Sequence, residues 1–389
     1  MERVRARSNP LAWLRHCRRR SRLRPQPLTG ALTMSNHNPI TATRRTMIGV
    51  LASVAIVAPR TLFAQSNPTG NTTMTNHGYT FELSPDVTRT PVRYRNRYGI
   101  EVAADLYRPK AFDASAKHPA IVIGPPHGGV KEQGVGIYAQ EMAKRGFVAL
   151  GFDPSYNGES GGEPRHITSP EIFAEDFSAG VDYLGTLTVV DRERIGAIGM
   201  CGSGGFLLSQ AAVDQRIRAV ATTAMYDISR VMRNGWQDSS SDAERHKMLA
   251  ALSNQRWADI DAGSPQLQPT FPASMPAEGP DPITREFFEY YVEPRGRHPR
   301  SIGGFTLTSG LPHVNFGQLR HIADIAPRRI MLITGDIAHS RYFSETVHEQ
   351  AKGNSELVVV PDARHIDLYD RVDVIPFDRL QSFFSEALA

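Results

Sequence analysis

Arg194-Ile195-Gly196-Ala197-Ile198-Gly199-Met200-Cys201-Gly202-Ser203-Gly204-Gly205 is a short apolar run that ends in a cluster of tiny residues. That pattern delivers a nucleophile from the end of a strand onto the start of a helix, because the sharp turn between them tolerates only small side chains on either side. Two registers fit. One is Gly199-Met200-Cys201-Gly202-Ser203, with Cys201 as the nucleophile; the other is Cys201-Gly202-Ser203-Gly204-Gly205, with Ser203 in that role. The strand run ends at Ile198-Gly199 and the nucleophile should follow two residues after the terminal glycine. That favours Cys201 and leaves Ser203 as the alternative. The second cysteine of the chain, Cys17, lies in an N-terminal leader, so Cys201 has no disulfide partner in the remainder. A helix N-terminus and a histidine partner would both lower the pKa of such a thiol and make it reactive.

Working outward, apolar strands alternate with helical patterns. Residues 92–95 and 100–107 flank Asn96-Arg97-Tyr98-Gly99 and read as an antiparallel hairpin. Strands are expected at 120–123, 147–152, 194–199, 217–223, 329–334 and 356–360. Several of these are apolar throughout, as strands covered on both faces are. Helices are expected at 132–145, from Ser169-Pro170-Glu171 through Leu184, after Cys201, and at 375–387. The order predicts an α/β protein with a mostly parallel sheet and helices on both faces. Residues 227–325 break the rhythm. They hold six prolines between Pro265 and Pro282 and the aromatics Trp236, Trp257, Phe271, Phe287, Phe288, Tyr290 and Tyr291. They read as an inserted cap over the C-terminal edge of the sheet, where such folds bind ligands.

The chemistry around a nucleophile needs a base, an acid and oxyanion donors. His365 follows the last strand in Val360-Pro361-Asp362-Ala363-Arg364-His365 and is the expected base. Asp336, in Thr334-Gly335-Asp336, follows the preceding strand and is the expected orienting acid, with Asp227 as the alternative and Glu345 as a third. An oxyanion hole takes two backbone N–H groups. Gly202 supplies one. The other belongs to Gly124-Pro125-Pro126-His127-Gly128-Gly129, where the prolines have no N–H and His127 or Gly128 remains.

Other chemistry is missing from the sequence. No phosphate-cradling loop and no His-Glu-x-x-His motif occur, the 153–162 glycines lack dinucleotide spacing, and the histidines form no metal-ligand cluster. No cofactor or metal is expected. The chain has 389 residues and a formal charge of +4, but the first 64 hold twelve arginines and one acid. The rest carries 32 basic and 39 acidic residues, which leaves nothing to favour nucleic acid or an anionic membrane surface, so neither nucleic acid nor stable membrane insertion is expected. A small-molecule substrate is expected. Within the leader, Arg44-Arg45, an uncharged stretch from Val50 to Ala58 and an exit at Ala64 resemble a twin-arginine export signal over 34–64. The apolar stretch falls short of the about 18 residues a membrane span needs. Residues 1–33 read as an extension outside the fold, 65–80 as a flexible linker and 81–389 as the functional domain. The expected location is periplasmic or secreted.

Taken in order, Gly-Pro-Pro-His-Gly-Gly at 124–129, the loop 153–162, Gly-x-Cys-x-x-Gly-Gly at 199–205, Gly-Asp at 335–336 and His365 resemble the α/β-hydrolase superfamily, and in particular its dienelactone-hydrolase-like branch. The resemblance covers roughly 81–389. Its use of cysteine at the elbow supports Cys201. Ser203 stands where glycine is usual, and Ala338 stands at the common acid position. The resemblance implies hydrolysis of a carboxylic ester, lactone or thioester through an acyl-enzyme on Cys201. The alternatives are acyl transfer on the same fold, or a binding protein that has lost turnover.

Overall fold

A computed structural model describes residues 78–268, 271, 275, 281–301, 304–351 and 353–389. The expected export signal and the extension before it lie outside the described residues.

Eight strands form one sheet in the order β1-β2-β4-β3-β5-β6-β7-β8. They are β1 (Val87–Arg95), β2 (Glu101–Pro109), β3 (His118–Gly124), β4 (Val148–Phe152), β5 (Val190–Met200), β6 (Ala219–Thr223), β7 (Ile330–Gly335) and β8 (Ser355–Val360). Strands β1 and β2 pair antiparallel, β2 pairs antiparallel with β4, and every later pair is parallel. The inner strands are apolar because both faces are covered: Ile121, Val122, Ile123, Ala149, Leu150, Ala197, Ile198, Val220, Leu332 and Ile333 are all solvent-free. β1 begins five residues before the hairpin pattern predicts. As an edge strand it carries Arg89, Pro91 and Arg93, which hide its strand character.

Ten α-helices accompany these strands among the described residues, besides short 3-10 and π turns: α1 (Gly136–Lys144), α2 (Pro170–Thr186), α3 (Gly202–Ala211), α4 (Ile228–Asn234), α5 (Asp242–Ala262), α6 (Pro282–Tyr291), α7 (Gly310–Val314), α8 (Arg341–Gln350), α9 (Asp367–Asp370) and α10 (Phe377–Ala387). Helix α2 shows how local sequence sets an element. Ser169 caps it by accepting from the Ile172 amide, Pro170 occupies the first turn, and Phe173, Phe177, Val181 and Leu184 make the buried stripe. None of the described helices is long and apolar enough to cross a membrane.

Because β3, β5, β6, β7 and β8 run parallel, the loops at their C-terminal ends open on one edge of the sheet. The Gly-Pro-Pro-His-Gly-Gly loop, the elbow at Cys201, the 336–340 turn and the His365 loop therefore converge there. Helices α4 to α7 lie between β6 and β7 in the sequence, and α6 reaches this edge with Glu286, Phe287 and Tyr291. Close approach fixes the loop spacing. A Cβ on Gly335 would meet the Ala363 carbonyl at 1.9 Å, so the end of β7 lies directly against the loop that carries His365. Gly335→Ala therefore forces that loop away. Denaturant unfolding should show a loss of about 2–3 kcal/mol, the cost of overpacking a rigid site; an unchanged midpoint would mean the contact yields freely.

Candidate active site

The elbow sits where the Cys201 register places it. β5 ends at Met200, α3 starts at Gly202, and Cys201 between them adopts φ 48° and ψ −120°. A non-glycine residue with positive φ is strained, and such strain persists only where the surroundings impose it. Here the Cys201 amide donates to the Thr223 carbonyl at 3.0 Å, while its carbonyl accepts from Gly204 at 3.0 Å and from Tyr226 at 2.8 Å. Gly199 is required one step earlier, since a Cβ there would lie 2.4 Å from the Ser203 carbonyl. Ser203 points elsewhere: its hydroxyl would stand 2.9 Å from a Cβ on Gly124, beside the Phe177 ring.

A Cβ on Gly202 would lie 2.8 Å from His127 Cβ, so the 124–129 loop lies against the elbow, and the amides of Gly202 and His127 and the hydroxyl of Tyr369 each pull the pKa of the Cys201 thiol down. Of the two candidates in the 124–129 loop, His127 is the one whose amide acts on the thiol. The Gly128 carbonyl instead accepts from the Ser301 hydroxyl at 2.8 Å. The His127 ring is clamped. It stacks on Phe305 with centroids 4.2 Å apart, and its Nε2 lies 2.8 Å from Thr168 Oγ1. That hydroxyl lies 2.9 Å from His313 Nε2, and His313 Nδ1 faces Ser229 at 3.3 Å. Burial pushes both His127 and His313 down to about 3, so these rings are neutral hydrogen-bonding struts.

His365 is fully buried at the same edge. Its Nε2 lies 2.8 Å from the Tyr369 hydroxyl and its Nδ1 2.6 Å from Ser340 Oγ. Tyr369 thus caps the Nε2 side of the imidazole. Sequence pattern does not single out Tyr369. It lies four residues after His365, one helical turn on through the four-residue α9.

The acid expected on His365 is corrected by this geometry. Asp336 is exposed and its amide donates to the Val360 carbonyl at 3.0 Å, while His365 Nδ1 is taken by Ser340. Directly after a strand, its side chain is directed outward, whereas Ser340, four residues on at the start of α8, turns back to Nδ1. Asp227 is used as the cap of α4, accepting from the Arg230 amide at 2.8 Å, and burial pushes it up to about 6. Glu345 pairs with Arg341 at 2.8 Å. A carboxylate on the loop that carries the base is Glu286 of α6, which no linear motif marks. One of its oxygens accepts from the Ile366 amide at 2.9 Å and the other meets His339 Nδ1 at 3.0 Å. The His339 ring in turn lies against His365, with centroids 4.7 Å apart.

Electrostatics follow from burial. Burial pushes the Cys201 thiol above its ordinary value, although Tyr369 and the two amides pull the other way. Burial, reinforced by His339, pushes His365 well below its ordinary 6.5. Desolvation therefore outweighs the expected activation of the thiol by helix and histidine, and favours the neutral form of both the thiol and the imidazole. Among the described residues no group of His, Cys, Asp and Glu is arranged to hold a metal ion. Alkylation of Cys201 by iodoacetamide should consequently be slow at neutral pH and still be accelerating at pH 9.0, the ordinary thiol value. A rate that levels off by pH 7 would indicate a thiolate–imidazolium pair instead.

Comparison with known proteins agrees with this architecture. The profile of the dienelactone hydrolase family matches residues 102–233. The uncharacterized protein PA2218 of Pseudomonas aeruginosa is 51% identical over 312 residues, covering 79% of this chain and 83% of the relative. Its crystal structure superposes with a TM-score of 0.77 at 50% identity, over 79% of this chain and 96% of that one. The α/β-hydrolase GrgF from Penicillium shares the fold, with a TM-score of 0.64 at 21% identity, over 77% of this chain and 99% of that one. A thiohydrolase of Eupenicillium brefeldianum is 36% identical over 137 residues, which is 35% of this chain and 42% of the relative. With its sheet order, its elbow and these relatives, the chain belongs to the dienelactone-hydrolase-like branch of the α/β-hydrolase superfamily and is a hydrolase of ester-type bonds.

Proposed function

We propose that this protein hydrolyses a carboxylic ester, lactone or thioester through a covalent acyl-Cys201 intermediate. The observation that carries the reading is the elbow itself: Cys201 sits at φ 48° between β5 and α3, and the His127 loop lies against Gly202, where a Cβ would stand 2.8 Å from His127 Cβ. A carbonyl carbon attacked by the Cys201 sulfur brings its oxygen to the amides of Gly202 and His127, which stabilise the charge that develops on it. His365 receives the thiol proton and returns it to the leaving group; water then releases the acyl group by the same path. Ser340 holds the imidazole by Nδ1 in place of a carboxylate. Tyr226, Phe287 and His339 pack on the His365 ring, and Trp236 and Tyr291 extend this aromatic surface, which suits an apolar acyl or aryl portion. The thiohydrolase relative favours a thioester among the three bond types.

Mass spectrometry of the intact protein, pulsed briefly with chromogenic esters, should show one acyl adduct, on residue 201. Cys201→Ala should lose both the adduct and turnover while keeping its fold. An adduct on Ser203, or turnover in Cys201→Ala, would sink the reading.

The pH profile tests the neutral pair. His365 must be unprotonated to accept, and its proton is held only well below pH 6.5, so activity is lost only below that value. The thiol ionises above 9.0. The kcat/KM profile should be flat between about 6.5 and 9.0, with no bell inside that window. Asp336→Asn should change kcat less than about twofold. Ser340→Ala, which frees the tautomer, should lower it about tenfold or more, within the range of general acid–base effects.

A further inference from the structure

We propose that His339 determines specificity: its Nε2 hydrogen-bonds a hydroxyl on the leaving portion of the substrate, and Glu286 is the positioning residue that orients His339 for this contact. The favoured substrates are then esters or thioesters whose leaving group is a hydroxyl-bearing aromatic or apolar body. The proposal rests on the acyl-Cys201 reading and adds the chemical group that the same site recognises.

The His339 ring has one polar partner and one open position. Its Nδ1 lies 3.0 Å from one oxygen of Glu286, whose other oxygen accepts from the Ile366 amide at 2.9 Å. An ionised carboxylate only accepts, so Nδ1 carries a proton. Nε2 is buried and has no hydrogen-bond partner among the described residues. A buried polar atom left unpaired costs free energy, and a ligand group that pairs with it recovers that cost. The neutral ring offers a lone pair at Nε2, and the protonated ring offers an N–H. A hydroxyl pairs with both forms, because it has a proton and two lone pairs; an amide N–H or a carboxylate pairs with only one of them.

The surroundings of the ring decide which part of the substrate it meets. His339 and Ser340 are consecutive in the turn from β7 into α8. Ser340 holds His365 Nδ1 at 2.6 Å, and the His339 ring lies against the His365 ring with centroids 4.7 Å apart. The two imidazoles share two walls. Tyr226 is edge-on to His365 at 5.1 Å and to His339 at 5.7 Å, and Phe287 is edge-on to both at 5.5 Å. Trp236 adds a wall beside His339 at 5.6 Å. His365 is fully buried, whereas His339, Phe287 and Trp236 are only partly so and form the rim of the site. Since His365 returns its proton to the leaving atom, the leaving portion lies beside that ring and runs out past His339. The aromatic walls suit a ring or another apolar body as the carrier of the hydroxyl.

Glu286 is held firmly. Asp281 caps α6 by accepting from the Ile283 and Thr284 amides at 3.0 and 3.1 Å. Glu289 pairs with Arg364 at 2.7 Å and Arg295 with Asp370 at 2.6 Å, which fastens the α6 segment to the His365 loop and to α9. The carboxylate then fixes the orientation of the His339 ring and leaves Nε2 as its free nitrogen.

Selectivity among aryl acetates tests this contact. The kcat/KM values for phenyl acetate and for the 2-, 3- and 4-hydroxyphenyl acetates, each divided by the rate constant for hydroxide hydrolysis, give the preference for a leaving-side hydroxyl. The wild-type enzyme should favour the best isomer over phenyl acetate by about fivefold or more, the scale of one buried hydrogen bond. His339→Phe keeps an aromatic ring and loses Nε2, and the preference should disappear. The readout is a ratio within one enzyme, so a general loss of activity cancels. Glu286→Gln, whose carbonyl oxygen still accepts one bond, should reduce the preference and have no further effect on it in the His339→Phe background, because it acts through the ring. A merely structural Glu286 would lower all four rates alike. A hydroxyl on the acyl side, in phenyl 4-hydroxybenzoate against phenyl benzoate, should bring no preference that depends on His339. Should His339→Phe fail to fold by circular dichroism, the wild-type protein decides: the 15N signal of His339 Nε2 must shift with the dihydroxybenzene released from the best isomer and not with phenol. A wild-type preference below about fivefold, a preference that survives His339→Phe, an acyl-side preference that His339→Phe removes, or an unmoved Nε2 signal would overturn the assignment. The two ideas fail separately. Turnover in Cys201→Ala defeats the acyl-cysteine reading and leaves the preference measurable, whereas acylation of Cys201 without the preference defeats only the role of His339.

Discussion

The left-handed backbone of Cys201 is the constraint on which the rest of the site depends. A cysteine at φ 48° is strained, and it stays there because three backbone hydrogen bonds, to Thr223, Gly204 and Tyr226, leave it no other conformation. That single dihedral turns the chain from β5 into α3 and lifts the thiol out of the sheet. It also aims the Gly202 amide at the place where a carbonyl oxygen would develop charge. The small residues around it are consequences: larger side chains at Gly199 would collide with the first turn of α3.

Around this elbow the protein has built an active-site candidate from neutral parts. The thiol, the imidazole of His365 and the two struts His127 and His313 are all held in uncharged form by burial. A thiolate–imidazolium pair needs either solvent or a carboxylate on the far side of the ring. Here the far side of His365 has a serine hydroxyl, and Glu286 is spent on His339 and a backbone amide. Neutral groups linked by short hydrogen bonds move protons in steps, without a charge waiting in the dry interior.

Much of this was legible from the chain. The order of strands and helices, the elbow register, the Gly202 and His127 amides and the place of His365 all follow from local patterns: apolar runs that end in glycine, helix caps, and loops that follow strands. The start of β1 was less legible, since an exposed edge strand with arginines and a proline carries no apolar signature. The acid position was misread for a related reason. Asp336 occupies the right place after the strand, yet side-chain direction there is set by how the turn into α8 is wound, and this favours Ser340.

Sequence by itself determined the strained turn and the residues on it, because a tight strand-to-helix junction depends on side-chain size within a few neighbours. Only the tertiary structure decided who touches the histidine. Tyr369, Ser340, Phe287 and Tyr226 come from four separate segments, and their convergence depends on how α6, α8 and α9 pack over the sheet edge. It decided the charge state as well. Desolvation is a property of everything that surrounds a group, and no neighbour along the chain reports it.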